Sequence, residues 1–219
     1  MKKVFIGVGH GGSDPGAIAH NGQKEKDLNL SIAKACGAYL SSKGVSVMYS
    51  RTKDEYDTVG EEVTECNSFA PDLAVDIHNN AGGGDGAEVF HTHLGGTGKT
   101  LAVHILNEIV KVGQNARGTK TRTNASGKDY YAFIRNTTAP AVIVECAFVD
   151  TADLAIIDTE AERVVMGEAI ARGILKTLGI ETEPATLYRV QVGAYRNKAN
   201  AEAMVAKLKT MGVEAMIVK

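Results

Sequence analysis

A chain of 219 residues with 44% hydrophobic and 23% charged content can bury one good-sized core and carry a small appendage. Its net charge of −2 gives no general attraction to nucleic acid, and no apolar run reaches the ~18 residues of a membrane-spanning helix. The three cysteines, Cys36, Cys66 and Cys146, lack the close spacing of a disulfide framework; Cys36 and Cys66 read as small buried hydrophobes. The apolar run after Lys2-Lys3 is broken at once by Gly7, Gly9 and His10. It reads as a first strand and not as a signal peptide, so the protein is expected to be cytoplasmic when made.

Strand-like and helix-like runs alternate through residue 178. A strand over Lys3–Gly9 leads to a helix over Glu25–Ser41, whose Leu28, Ile32, Ala35 and Tyr39 form one stripe and which stops at Lys43-Gly44. Then come a strand (Val45–Ser50), a helix (Thr58–Phe69), two strands (Leu73–His78 and Ala87–His91), a helix (Lys99–Gly113), a strand (Ala141–Cys146) and a helix (Thr159–Leu178). This order predicts an α/β fold with a twisted, mostly parallel central sheet flanked by helices. Residues 179–186 are polar, contain Pro184 and read as a linker. Beyond it, strand Leu187–Tyr195, helix Ala199–Met211 and strand Val213–Val218 form one small βαβ unit. Such a unit cannot bury both faces of two strands alone, so residues 187–219 are expected to pair with a second copy, as a homodimer, or to lie on the main domain.

In open α/β sheets, sites form beyond the carboxyl ends of strands. His10, His78 and Glu145 occupy such ends, and Glu25 opens a helix after a loop. His10, Glu25 and His78 make a His₂Glu set, a ligand set of catalytic zinc that leaves one position open for water. Zinc lowers the pKa of that water, and Glu145, ending an apolar strand, can take its proton. The residues therefore read as a zinc hydrolase.

Three other readings compete. Gly95-Gly96-Thr97-Gly98-Lys99-Thr100 lies between a strand and a helix, as a phosphate-binding loop does. That pattern also asks for glycine at the position of His93, so a glycine-rich turn is the simpler reading over a nucleotide-binding protein. Cys146 as a nucleophile would leave Glu25 and Glu145 without a role. A non-catalytic binding protein with a degenerate form of this fold would have no need of all four site residues. His91 and His93 alternate on one strand and are expected as an exposed pair; His20 and His104 are expected at the surface.

The landmarks Gly9-His10-Gly11-Gly12, Asp14-Pro15-Gly16-Ala17, Glu25-Lys26-Asp27-Leu28-Asn29-Leu30, Asp76-Ile77-His78-Asn79-Asn80-Ala81, Arg135-Asn136-Thr137 and Pro140–Glu145 occur in one order. With them, residues 1–178 resemble the zinc-dependent N-acetylmuramoyl-L-alanine amidases of the sporulation and phage-lysin type. The resemblance implies cleavage between N-acetylmuramic acid and L-alanine in peptidoglycan. It implies Zn²⁺ on His10, Glu25 and His78, with Glu145 as the catalytic carboxylate. One departure is Cys146-Ala147-Phe148-Val149-Asp150 after that glutamate, where the family more often has threonine, glycine and a final asparagine. The tail, through Tyr188–Tyr195, Ala199, Ala201, Leu208 and Gly212, resembles one of the two βαβ repeats of a SPOR module, which binds wall glycan.

The loop Ala81–Gly86 follows His78 and is small enough to let glycan approach. Among Arg117, Lys120, Arg122, Lys128 and Arg135, the residues Arg122, Lys128 and Arg135, with Asn79, are expected to hold the stem peptide and its free carboxylates. No membrane insertion and no nucleic-acid partner are expected. Action on the wall would follow release by lysis or through a holin-like partner.

Overall fold

Six strands build one sheet: β1 (Lys3–Val8), β2 (Ser46–Tyr49), β3 (Leu73–Asn80), β4 (Ala87–His91), β5 (Ala116–Lys120) and β6 (Ala141–Phe148). The computed structural model, which describes residues 1–56, 58–181, 192–195 and 197–213, orders them β2-β1-β3-β6-β4-β5. β1 runs parallel to β2 and β3, and β3 parallel to β6; β4 is antiparallel to β6 and carries β5 parallel to itself. The mostly parallel α/β sheet expected from the alternation is therefore present.

The helices are α1 (Glu25–Ser42), α2 (Val59–Phe69), α3 (Gly96–Lys111), α4 (Ala132–Asn136), α5 (Glu160–Thr177) and α6 (Lys198–Thr210). Thr58 and Thr159 start α2 and α5 with reciprocal capping boxes, each closed by a glutamate three residues on. Period-two alternation along the strands splits the apolar residues between two layers. Val4, Ile6, Val75, Ile77, Val142 and Val144 face α1, α3 and α5. Phe5, Ala74, Ala141 and Ile143 face the shorter α2 and α4. Helix α5 packs tightly because it has glycine at its contacts. A Cβ on Gly167 would lie 2.5 Å from the Ile32 carbonyl oxygen, and one on Gly173 2.5 Å from Ile105 Cα.

From β1 the chain crosses by α1 to β2 on one side, then by α2 to β3 on the other. Right-handed crossovers in opposite directions place α1 and α2 on opposite faces and open a crevice between the ends of β1 and β3.

Buried Asp153 ties the sheet top together. Its carboxylate accepts the main-chain N–H groups of Gly86 (2.9 Å) and Phe148 (2.8 Å) and the Gln114 side-chain amide (2.9 Å). Asp153→Ala is expected to cost about 2–4 kcal/mol, because it leaves these buried donors without an acceptor. A thermal melt should show a fall of about 5–15 °C. A shift under ~2 °C would mean that water replaces the carboxylate.

Several boundaries differ from the expectation. β5 is an extra strand; its Ala-Arg-Gly-Thr-Lys sequence lacks an apolar alternation because it is a half-exposed edge strand pairing only β4. α4 is a single short turn, below the length at which periodicity shows. β3 and β6 run on to Asn80 and Phe148, into polar and aromatic residues paired across the two strands. The chain divides into two units, Met1–Thr182 and Glu183–Lys219. Helix α6 matches the helix expected over Ala199–Met211, and Asn197 caps it by accepting the Ala199 N–H at 2.9 Å. The tail strands expected over Leu187–Tyr195 and Val213–Val218 and the linker over 179–186 lie largely outside the described residues. Among the described residues, no helix is long and apolar enough to cross a membrane.

Candidate metal centre

Three side chains converge where β1, β3 and α1 meet. His10 sits in the loop just beyond β1, Glu25 is the first residue of α1, and His78 lies near the end of β3. Their ligand atoms all fall within 4.8 Å of one another. His10 Nε2 is 3.1 Å from Glu25 Oε2, and His78 Nδ1 is 3.1 Å from Glu25 Oε1. The two imidazoles meet edge to face, with ring centroids 5.0 Å apart.

Each member has a support. Asp14 Oδ2 lies 2.9 Å from His10 Nδ1, and Asp76 Oδ2 lies 3.2 Å from His78 Nε2. A carboxylate on the far ring nitrogen fixes the tautomer and turns the other nitrogen inward. Glu25 Oε2 accepts the Ala17 N–H at 2.9 Å, and Oε1 accepts the Asn79 N–H at 3.1 Å. Fully buried Asn29 donates to Glu25 Oε1 at 3.3 Å and to the Gly9 carbonyl at 3.0 Å.

Glycine makes the space. A Cβ on Gly9 would fall 2.1–2.5 Å from ring atoms of His78. Gly16, at φ +63°, would place a Cβ 2.6 Å from Glu25 Oε2 and 2.7 Å from His10 Cδ2.

The electrostatics suit a cation. Burial opposes ionisation of Glu25, but hydrogen bonds from His10 and His78 outweigh it and hold the carboxyl far below its usual range. His10 is raised chiefly by its bond to Glu25. His78 is raised although burial opposes its charge, because Asp76 and Glu25 hold the protonated ring. The two imidazoles thus sit among carboxylates that favour a positive charge there, a demand that a divalent ion would meet with neutral imidazoles. Two imidazoles and a carboxylate, with their far nitrogens already bonded, fit zinc by donor type and by support.

Glu145 is the register partner of His78 on β6 and of Glu88 on β4. Among the described residues, its Oε2 is buried with no hydrogen-bond partner. Burial pushes its carboxyl up to about 7; Glu25, Asp76 and Glu88 add to the rise, against His78. A carboxyl that titrates near neutrality beside the cluster can both take and return a proton.

The proposed substrate residues are placed differently from the expectation. Asn79 is 3% exposed, and its side chain donates to Asn29 Oδ1 at 2.8 Å, so it faces the interior and supports Glu25 instead of meeting substrate. Arg122 stacks on Tyr130, 3.8 Å from the ring centroid, and Arg135 donates to the Asp129 and Tyr130 carbonyls at 2.7 Å. Lys128 is exposed in the same turn, which Thr92 and His93 hold through Asp129. That anchor lies beyond His91, at the end of the sheet where β6 begins, whereas Glu145 lies toward the other end. Arg117 and Lys120 instead pair with Glu88, the register partner of Glu145 on β4. Asp14 and Asp76 are the supports that motif reading missed. The i,i+2 spacing of Asp76 and His78 on a strand was the available signal.

The other titratable groups separate cleanly. Cys146, on the opposite side of β6 from Glu145, is fully buried and its thiol is pushed well up by burial, so it is no nucleophile. Cys36 and Cys66 are buried and free, as expected. His91 is 6% exposed and not a surface residue, and β4 ends there; His93 lies beyond the strand and pairs with Asp129 at 2.8 Å. Gly95 and Gly96, at φ 79° and 66°, make the tight turn into α3.

A His–Glu–His cluster at a sheet switch point that could hold a metal ion, faced by the half-buried Glu145 carboxylate able to move a proton, has the make-up of a hydrolase centre. Comparison with known proteins supplies the family. The model of the N-acetylmuramoyl-L-alanine amidase family matches residues 4–176, and that of the SPOR domain matches residues 184–219. The sporulation-specific N-acetylmuramoyl-L-alanine amidase of Bacillus subtilis (strain 168) is 33% identical over 99% of this chain and 84% of its own length. The N-acetylmuramoyl-L-alanine amidase CwlM of Bacillus licheniformis is 35% identical over 100% of this chain and 85% of its own. The solved structure of Cwp6 from Clostridium difficile superposes with a TM-score of 0.79 and 39% identity, over 81% of this chain and 29% of that one. The chain belongs to the N-acetylmuramoyl-L-alanine amidase family: it is a peptidoglycan amidase with a SPOR domain at its C-terminal end.

Proposed function

We propose that this amidase is zinc-dependent and cleaves the N-acetylmuramic acid–L-alanine bond with Glu145 as its proton-transfer group. The buried Glu145 Oε2, unpartnered among the described residues and beside the His–Glu–His cluster, carries the reading. His10 Nε2, the Glu25 carboxylate and His78 Nδ1 would hold the ion. Bound zinc would supply Lewis acidity to the scissile carbonyl and acidify a water. Glu145 Oε2 accepts the proton of the attacking water and returns it to the departing nitrogen of L-alanine. Asp14 and Asp76 keep the imidazoles in their ligating tautomers.

Digestion of purified peptidoglycan by zinc-loaded and chelator-stripped protein tests the reading. New N-terminal alanine without new reducing sugar ends, lost on stripping and restored by zinc, is the expected result. Cleavage that survives stripping overturns zinc dependence; reducing ends instead of amino termini overturn the bond assignment. A lytic role for the enzyme, once release brings it to the wall, predicts a fall in turbidity when protein is added to permeabilised cells.

Metal affinity should depend on pH. His10 and His78 are raised above the ordinary imidazole value, and only the neutral ring ligates. Zinc affinity is therefore expected to fall as pH drops through and below neutrality, with each imidazole releasing a proton on binding. Calorimetry in buffers of different ionisation enthalpy measures that release. Affinity constant between pH 8 and pH 6 would remove the histidines as ligands.

A further inference from the structure

No step above uses the buried arginine beside the centre. Arg51, just after β2, is 2% exposed. Its guanidinium donates to main-chain carbonyls: Nε to Val8 (3.1 Å), Nη1 to Lys53 (3.0 Å), and Nη2 to Gly9 (3.2 Å) and Lys26 (2.8 Å). Burial disfavours its charge, and the carbonyl dipoles together with the carboxylates of Asp54, Asp27, Glu55 and Asp76 offset that cost.

Two of those carbonyls adjoin ligands. Gly9 precedes His10, and Lys26 follows Glu25. The rigid planar fork therefore ties the loop after β1 to the first turn of α1. That loop needs an external hold: His10 has φ 61°, followed by Gly11 at 150° and Gly12 at 52°. A left-handed residue other than glycine persists where its surroundings impose the conformation. Lys26 adds a second tie, with Nζ donating to the Gly12 carbonyl at 2.8 Å and to Asp54 at 2.7 Å.

We propose that Arg51 is a positioning residue of the metal centre. By gripping the Gly9 and Lys26 carbonyls it holds His10 and Glu25 at ligating distance. This rests on the zinc reading above. Lysine carries the same charge but no planar fork, so it cannot span these carbonyls.

The test uses the full chain as wild type, Arg51→Lys, Arg51→Gln and, as a control, Arg163→Gln. Arg163 also clamps carbonyls, those of Ile157 and Asp158 at 2.9 and 2.7 Å, but serves no ligand. Zinc affinity is read by competition with a chromophoric chelator, stability by urea midpoint, and hydrogen exchange over residues 8–14 and 24–28 in metal-free protein. Both Arg51 variants should bind zinc about 10–100-fold more weakly and exchange faster in those segments, while Arg163→Gln binds as wild type. Should Arg51→Gln fail to fold, Arg51→Lys decides. An Arg51→Lys protein with affinity within about twofold of wild type overturns the proposal. So does a loss of affinity in Arg163→Gln that matches its loss of stability, which would make the effect general. Wild type that binds no zinc would sink the metal reading and the clamp together; wild type that binds while the Arg51 variants bind equally sinks the clamp alone.

Discussion

Glu145→Gln is expected to lower kcat by about 10²–10⁴-fold while zinc content and KM stay near wild type. The amide fills the carboxylate's place but cannot accept a proton, and the Oε2 it replaces has no partner to lose among the described residues. A second consequence separates this residue from a structural one. In metal-free protein the Glu145 carboxyl is pushed up to about 7, above its ordinary value. A folded-state pKa raised for an acid means that the native state binds the proton more tightly than the unfolded chain. The cost of the charge is absent below pH ~4.5, grows as pH rises toward 7 and is complete above it. Metal-free Glu145→Gln should therefore be more stable than wild type by about 1–3 kcal/mol at pH 8, with the two converging near pH 4. Denaturant titrations at the two pH values measure this. A kcat loss under tenfold removes Glu145 as the proton-transfer group; a variant less stable than wild type at pH 8 removes the account of its burial.

Gly9→Ala is expected to weaken zinc binding by at least about 100-fold and to abolish peptidoglycan cleavage at ordinary zinc levels, with the fold intact. The added methyl would fall 2.1–2.5 Å from three atoms of the His78 ring. The backbone cannot retreat, because the Gly9 N–H donates to the Ile77 carbonyl at 3.1 Å and its own carbonyl accepts from Asn29 and Arg51. The ring must turn, and turning it breaks the contacts of Nδ1 with Glu25 and of Nε2 with Asp76. Circular dichroism should match wild type while chelator competition shows the loss. Wild-type affinity in this variant would mean that loop and ring shift together and that the glycine serves another purpose.

How far the sequence reached is clearest residue by residue. Period-two and period-3.6 patterns mark every strand and helix whose faces are sharply divided between core and solvent; β5, a polar edge strand, and α4, a single turn, carry no such pattern. His10, Glu25, His78 and Glu145 were legible because strand ends and helix starts in an α/β alternation share one rim. The mistaken role for Asn79 has the same origin. Its place after His78 put it on that rim, but alternation turns it into the protein, onto Asn29. Arg122, Lys128 and Arg135 look like a basic patch in one dimension. The reversal of β4 against β6 anchors their turn at the far end of the sheet, whereas Arg117 and Lys120 pair with Glu88, the register partner of Glu145.

The sequence by itself determined the α/β class, the residue types of the His–Glu–His cluster and the rim on which they gather, since these follow from local periodicity and from side-chain chemistry. Only the tertiary structure decided which groups support them. Asn29 and Arg51 act through contacts between segments as much as 50 residues apart, as from Asn29 to Asn79, whereas Asp14 and Asp76 stand only four and two residues from the histidines they hold. The strand order that creates those contacts is set by packing helices on two faces of one sheet, a choice that no local pattern encodes.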